Sequence, residues 1–333
     1  MRKNWNPQKD ARKIDVKVRH KIIIVVFIPE NDEYYSEMFD VFKTCLKSLQ
    51  STINSQAQIM VVNNGSSEKV FNFINAQLQK GFINSVLHHE ENIGKMDALV
   101  GAARSVREEL ITVTDTDILF TTGWQEAVER IFDNFPKAGS VSPIPVQANA
   151  LFYNTNSVLK DIVLKKLQYR LRKIPENFEA HNKYLESINW GSKKSNDILW
   201  PVVSCNKTDS IVGSGHQVMT LKKEIFLNYV PTNPSRTLVG GHSEYIYGDE
   251  PIDKAGFYRL ATYNNYAYHM GNILEPWMID ILNKNSKIKN KNRLTFNNQV
   301  DCNKKIFLNI SYKIKKLVFK KLFKLFYNHK SKQ

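Results

Sequence analysis

Short apolar runs alternate along the first part of the chain with longer stretches in which apolar residues recur every three or four positions. "KIIIVVFIP", ending at Pro29, is a continuous apolar run of strand length, the pattern of a strand buried on both faces. "YYSEMFDVFKTCLKSLQSTI" then places Met38, Phe42, Cys45, Leu46 and Leu49 at helical spacing. "QAQIMVVNNGSS" predicts a second strand closing in a turn, and "KVFNFINAQLQKG" a helix stopped by Gly81. "FINSVLHH" predicts a third strand, "GKMDALVGAARSVREE" a helix, and "LITVTD" a fourth strand. Such alternation predicts an α/β fold with a mostly parallel sheet covered on both faces. In these sheets ligands bind beyond the carboxyl ends of the strands. Asn63, Asn64, Asn92, Asp115 and Asp117 all fall at those ends.

From Val141 to about Ser210 the regularity lapses. "NSVLKDIVLKKLQYRLRKI" reads as an amphipathic helix, and the polar, Trp-bearing "INWGSKKSNDILWPVV" follows, together a more variable subdomain. Regular patterning returns at "IVGSGHQVMTLKKEIF" and continues through "YGDEPIDKAGFYRLATYNNYAYHMGN". The expected units are a basic leader (1–20), an α/β half (21–140), a second half with a variable insertion (141–300) and a separate tail (301–333).

At 333 residues with 42% hydrophobic content the chain can bury one large or two smaller cores. It contains no apolar run of the ~18–20 residues that crosses a bilayer. The leader has no apolar signal region, so a cytoplasmic start is expected. Three scattered cysteines, Cys45, Cys205 and Cys302, point to reduced thiols. The formal charge is +15. Ten lysines and one acid, Asp301, lie between residues 301 and 333, so the charge is concentrated there.

Two carboxylates close the fourth strand in "VTDTDILF". On an extended chain Asp115 and Asp117 would sit ~7 Å apart, too far to grip one ion unless the chain turns. Hard oxygen ligands suit Mg²⁺ or Mn²⁺. A polar turn is the plainer alternative for so short a string. Further along stand Gly213 and Gly215 in "IVGSGHQVM", the acids Asp249, Glu250 and Asp253 in "YGDEPID", and His269 in "YAYHMGN". His216 and His242, beside glycines, are weaker candidates for acceptor contacts.

Taken in order, the strand ending in Pro29, "CLKSL", "IMVVNNGSSE", "ENIGKMDALVGA" and "VTDTDILF" resemble the nucleotide-binding half of family 2 glycosyltransferases, which have the GT-A fold. The resemblance implies a Rossmann-like sheet with an acceptor-side subdomain and an inverting, metal-dependent hexosyl- or N-acetylhexosaminyltransferase. By this resemblance, 21–140 and 141–300 would be the nucleotide-sugar-binding and acceptor-side halves of one domain. Its donor would be a nucleotide sugar, with UDP-sugar preferred. It also implies donor contacts at Pro29, Asn63, Asn64, Asn92, Lys95, Asp115 and Gly213. The family has an acid where this chain has Asn63, and an amide can still bond a uracil edge or ribose hydroxyl. Lys95 would face the diphosphate or stand solvated at a helix start. A divalent metal, Mn²⁺ or Mg²⁺, would be held by Asp115, Asp117 and His269. An acid pair opening a helix would supply the catalytic base, either Glu250 or Asp249. The resembled enzymes extend lipid-linked oligosaccharides or cell-surface polysaccharide precursors.

A sugar nucleotidyltransferase would carry a Gly-rich, Arg-bearing loop after the first strand; here that place holds "PENDEYYSEMF", acidic and glycine-free. The tail adds a separate signal. In "ISYKIKKLVFKKLFKLFYNHK", Ile314, Val318, Leu322 and Leu325 share one helical face, with Lys313, Lys316, Lys320 and Lys324 opposite and Leu317 and Phe323 interrupting. This predicts a basic amphipathic helix on the anionic inner face of the cell membrane, rather than one bound to nucleic acid or packed on its own domain. On that reading, residues from about Ile306 onward are dispensable for turnover. The competing reading of the whole chain is a non-catalytic, degenerate GT-A module that binds membrane or nucleic acid through this tail.

Overall fold

The computed structural model describes residues 4–6, 9, 14, 16–30, 32–145, 156–191, 199–285 and 310–332. Much of the leader, Cys302 and the first part of the 301–333 tail lie outside the described residues. In chain order the elements are β1 (His20–Val26), α1 (Met38–Thr52), β2 (Ala57–Asn64), α2 (Glu68–Gln79), β3 (Ser85–His89), α3 (Lys95–Ser105), β4 (Leu110–Thr114) and β5 (Ile118–Phe120). There follow α4 (Trp124–Asn134), β6 (Ala138–Ser142), α5 (Asn156–Val163), β7 (Gln168–Arg172), α6 (Pro175–Ser187), β8 (Trp200–Cys205), β9 (Thr208–Val212), β10 (Val218–Lys222) and α7 (Lys223–Asn228). The last are α8 (Glu250–Lys254), β11 (Tyr258–Thr262), β12 (Ala267–His269), α9 (Pro276–Asn285) and α10 (Ile310–Lys330).

One ten-stranded sheet runs in the order β3-β2-β1-β4-β10-β6-β11-β9-β8-β7. Its first four strands are parallel, as the alternating pattern predicts. β1 lies between β2 and β4 with both faces covered, which is why its sequence is apolar without alternation. The variable stretch does not leave this sheet. Instead of one long helix, "NSVLKDIVLKKLQYRLRKI" forms α5 and then β7, broken at Lys165, which takes a positive φ of 55°. β7 pairs antiparallel with β8, so the insertion extends the sheet edge.

The sheet has a core on each face. α1, α2 and α4 enclose one, and α3 and α7 enclose the other. α10 also reaches the first core, where Phe323 is fully buried. The tail is therefore partly structural, packed on the domain as well as carrying the expected exposed face.

Polar groups also enter the interior, and several form a connected network. His20 is fully buried; its Nδ1 lies 2.9 Å from Glu129 Oε1 and its Nε2 2.6 Å from Thr112 Oγ1, which continues to Thr220 Oγ1 at 2.6 Å. Gln125 Nε2 donates to the same Glu129 oxygen at 2.8 Å. Glu129→Ala should leave the buried His20 Nδ1 without its partner and Gln125 Nε2 with only Asn54 Oδ1 at 3.0 Å, costing about 1–3 kcal/mol of unfolding free energy by chemical denaturation. A loss below about 0.5 kcal/mol would show that this network contributes little.

Candidate functional site

The Asp-Thr-Asp string meets the condition its spacing sets, because the chain turns at Thr116–Asp117 as it leaves β4. Asp115 N donates to Gln217 O at 2.9 Å, fixing the start of this turn against the strand-entry loop of β10. β5 leaves the turn and pairs antiparallel with β12, with His269 opposite Ile118. Met270 N donates to Asp117 O at 2.7 Å, closing the ribbon. His269 Nε2 consequently lies 3.2 Å from Asp117 Oδ2.

The imidazole is oriented from behind: its Nδ1 lies 2.8 Å from Ser187 Oγ, and the Tyr184 ring meets it edge-on. With Nδ1 bonded to Ser187, Nε2 is the nitrogen aimed at Asp117. Burial pushes the Asp117 carboxyl upward, with Asp115 adding to the shift and His269 and Lys95 opposing it. Its Oδ1 is buried and has no hydrogen-bond partner.

These are the features of residues suited to a divalent cation. The orphaned carboxylate oxygen lacks a positive partner, and the imidazole nitrogen beside it is a good ligand for Mn²⁺. The 3.2 Å separation is near the ~3 Å edge between neighbouring ligands of a six-coordinate ion with bonds of about 2.1 Å. Among the described residues no three His, Cys, Asp or Glu side chains form a complete metal-binding group. Two protein ligands are sufficient where substrate phosphates and water supply the rest. Asp115 is engaged differently: its Oδ1 accepts from Lys95 Nζ at 2.6 Å.

Beside this pair a cavity of about 240 Å³ is lined by Phe27, Tyr34, Tyr35, Asn64, Asn92, Lys95, Asp115, Asp117, Leu238 and Val239 among others. Asn64 Nδ2 donates to Asn92 Oδ1 at 2.8 Å, and that oxygen also receives Gly94 N at 2.9 Å. The two amides frame the start of α3, where Lys95 emerges. Burial opposes the charge on Lys95, yet Asp115 first, then Glu244 and Asp117, keep its pKa raised. Lys95 is therefore a permanent cation in the cleft.

A strap from Ser235 to Glu244 lies across the same edge. Asp97 accepts Ser235 N at 2.7 Å and Arg236 N at 2.9 Å, while Lys95 N donates to Leu238 O at 2.9 Å. Gly94 permits this approach: its φ is +96°, and a Cβ there would lie 2.4 Å from Thr237 O.

The other expected donor contacts lie further off. Asn63 turns to its own loop, accepting Ser66 N at 3.0 Å and meeting His88 at 3.2 Å. Pro29 lines a neighbouring cavity that shares Tyr35 with the first. Gly213 N donates to Arg259 O at 2.8 Å, behind the cleft in the buried ion-pair region.

The acids after Tyr247 are committed. Asp249 is 2% exposed and its Oδ1 lies 2.5 Å from Arg259 Nη2, with His216 Nδ1 3.7 Å from Oδ2. Glu250 pairs with Lys254 at 2.8 Å. They do not open the helix, because a helical turn begins at Ser243 and passes through a π turn (Tyr245–Asp249) into α8. Glu244 is the acid in the first turn of that run. Burial raises its pKa, but backbone N–H groups, Lys95 and His216 outweigh it and hold the carboxyl below the usual range. Sequence reading missed Glu244; the usable signal was the Gly240–Gly241 pair just before "HSE", which ends the strap and starts the helix.

Residues 33–185 match the family Glycosyl transferase family 2. The architecture is a Rossmann-like sheet with the Asp-Thr-Asp turn at its carboxyl edge. No curated protein matches the chain. Among solved structures the chain is similar to the mannosyltransferase PcManGT from Pyrobaculum calidifontis in complex with GDP-Man and Mn²⁺, at 16% identity and TM-score 0.43 over 76% of this chain and 56% of that one. It is also similar to GalNAc-T7 with UDP, GalNAc and Mn²⁺, at 14% identity and TM-score 0.46 over 76% and 43%. A third is S. aureus TarS 1-349, at 10% identity and TM-score 0.45 over 80% and 69%. The chain thus spans only about half the length of the first two.

Burial, together with Asp249 and Glu250, pushes the Asp253 carboxyl up to about 8, although Arg259 pulls the other way. A carboxyl that keeps its proton in the fold and loses it near pH ~4 when unfolded makes stability fall as pH rises from about 4 toward 8. Asp253→Asn is expected to raise the melting temperature more at pH 8 than at pH 5. Equal shifts at the two pH values would contradict this assignment.

Proposed function

We propose that the chain is an inverting, metal-dependent glycosyltransferase. It would move a sugar from a nucleotide diphosphate, preferably UDP, to a hydroxyl of a lipid-linked oligosaccharide or cell-surface polysaccharide precursor at the cytoplasmic face of the membrane. The single observation that carries this reading is the meeting of Asp117 and His269, from distant parts of the sequence, beside a cleft holding one fixed cation, Lys95.

In this mechanism Asp117 and His269 hold a divalent cation, with Asp115 assisting. When bound, the cation acts as a Lewis acid toward the departing diphosphate. Lys95, kept charged by Asp115, orients the phosphates, and the Asn64–Asn92 pair holds the loop from which it projects. Tyr34, Tyr35 and Phe27 offer flat faces to the base.

On the acceptor side, Glu244 takes the hydroxyl proton as the oxygen attacks the anomeric carbon opposite the leaving diphosphate, which inverts that centre. Asp249, engaged by Arg259, and Glu250, engaged by Lys254, are less available for this role. A carboxylate held below its ordinary range is ionised at neutral pH, as a base must be.

Mn²⁺-dependent protection from thermal unfolding by UDP and a panel of UDP- and GDP-sugars tests the reading. Asp117→Asn should abolish the metal-dependent part of that protection; if it binds donor and Mn²⁺ as wild type does, the reading fails. Glu244→Gln should keep donor protection while lowering turnover by about 10²–10⁴-fold. If Glu250→Gln shows that loss and Glu244→Gln does not, the base has been misassigned.

A further inference from the structure

The C-terminal helix has two apolar faces, and only one is used within the chain. α10 rests on the domain through Phe319, Phe323 and Phe326, spaced four and three residues apart. Phe323 is fully buried, and the Tyr169 ring meets Phe323 at 6.3 Å and Phe326 at 5.0 Å. Tyr327 Oη donates to Leu199 O at 2.8 Å. The opposite face carries Ile314 (59% exposed), Val318 (46%), Leu322 (46%) and Leu325 (65%), with Leu317 (62%) beside them. Lys321 is exposed at the edge of this second stripe, Lys324 and Lys320 are exposed further round the helix, and the helix contains no acid.

Scattered exposed aliphatics are ordinary, whereas a continuous stripe flanked by cations is not. The Phe face already closes the core, so packing gives no reason for the outer stripe. Nucleic acid would engage the lysines but would find no aromatic ring on that face to stack on, and aliphatic side chains do not serve as stacking platforms.

We propose that the outer face of α10 seats the protein on an anionic lipid bilayer, while its Phe face stays on the domain. The aliphatic side chains would enter the headgroup–acyl boundary, and the lysines would extend along it to the lipid phosphates. Among the described residues no helix is long and apolar enough to cross a membrane, so α10 lies on the surface. Lys316 Nζ lies 4.3 Å from the Tyr245 ring and 3.9 Å from Asp253 Oδ2, which ties α10 to the helical run carrying Glu244. The bilayer would then adjoin the acceptor side of the cleft. That corollary rests on the transferase reading; the membrane contact does not.

Because Phe323 belongs to the core, point variants of the full chain are a better test than truncation. Co-sedimentation with phosphatidylcholine vesicles, with and without phosphatidylglycerol, should pellet wild type only when phosphatidylglycerol is present, and less so at high salt. Ile314→Gln with Val318→Gln and Leu325→Gln should lower the partition coefficient by about tenfold or more at an unchanged melting temperature. Lys321→Glu with Lys324→Glu should lower it by about tenfold or more. Phe323→Ala should instead lower the melting temperature. The proposal is overturned if wild type stays in the supernatant with anionic vesicles, if the triple variant pellets as wild type does, or if a DNA duplex displaces the vesicles at equal salt. Nucleotide-sugar protection measured without vesicles stands or falls separately, so failure of one reading is distinguishable from failure of the other.

Discussion

The donation from Met270 N to Asp117 O is the contact on which the site's geometry depends. β5 is three residues long and β12 is also three, and a ribbon this short is marginal alone. It persists because Ile118, Leu119 and Phe120 are fully buried on α1, and because Asn285 caps the edge by donating to Phe120 O at 2.6 Å. Core packing thus sets the register that brings an imidazole to a carboxylate. A one-residue slip would send His269 to the other face of the ribbon and put Tyr268 toward Asp117.

Much of this was legible in the sequence where the signal was local. The parallel strands follow from uninterrupted apolar runs, and the Asp-Thr-Asp turn from its place after one of them. Other features depend on contacts that periodicity does not encode. α5 and β7 read together as one amphipathic helix because Leu164 and Leu167 fit either period, and only pairing with β8 separates them. Glu244 escaped because the eye takes Asp249-Glu250 as the helix start, whereas the helical run begins at Ser243. In the tail both stripes are apolar. A wheel drawn on Ile314, Val318, Leu322 and Leu325 finds a true face but not which face the domain covers.

The buried acids of the segment after Tyr247 serve as support for the turn that carries them. Asp249 and Arg259 are almost fully excluded from water, and Arg259 Nη2 also donates to Ser214 O at 2.9 Å. Buried pairs of this kind contribute little net stability against apolar replacements, but breaking one partner is severe. Such a pair fixes position: it locks the π turn to β11 and to the Gly213–Gly215 loop at once.

The same logic bears on why the tail is built as it is. A helix held only by a membrane would leave the acceptor side at variable height above the bilayer. A helix held only by the domain would give no preference for any surface. Phe323 removes the first freedom, and on the proposed membrane contact the Ile314–Leu325 stripe with its lysines would remove the second. Lys316 sits at the junction, its ammonium over the Tyr245 ring in the turn that separates Glu244 from Asp249. Burial beside Lys320 draws its pKa down to about 8. Lys321 and Lys324, by contrast, are exposed to solvent, where the proposed anionic surface can reach them.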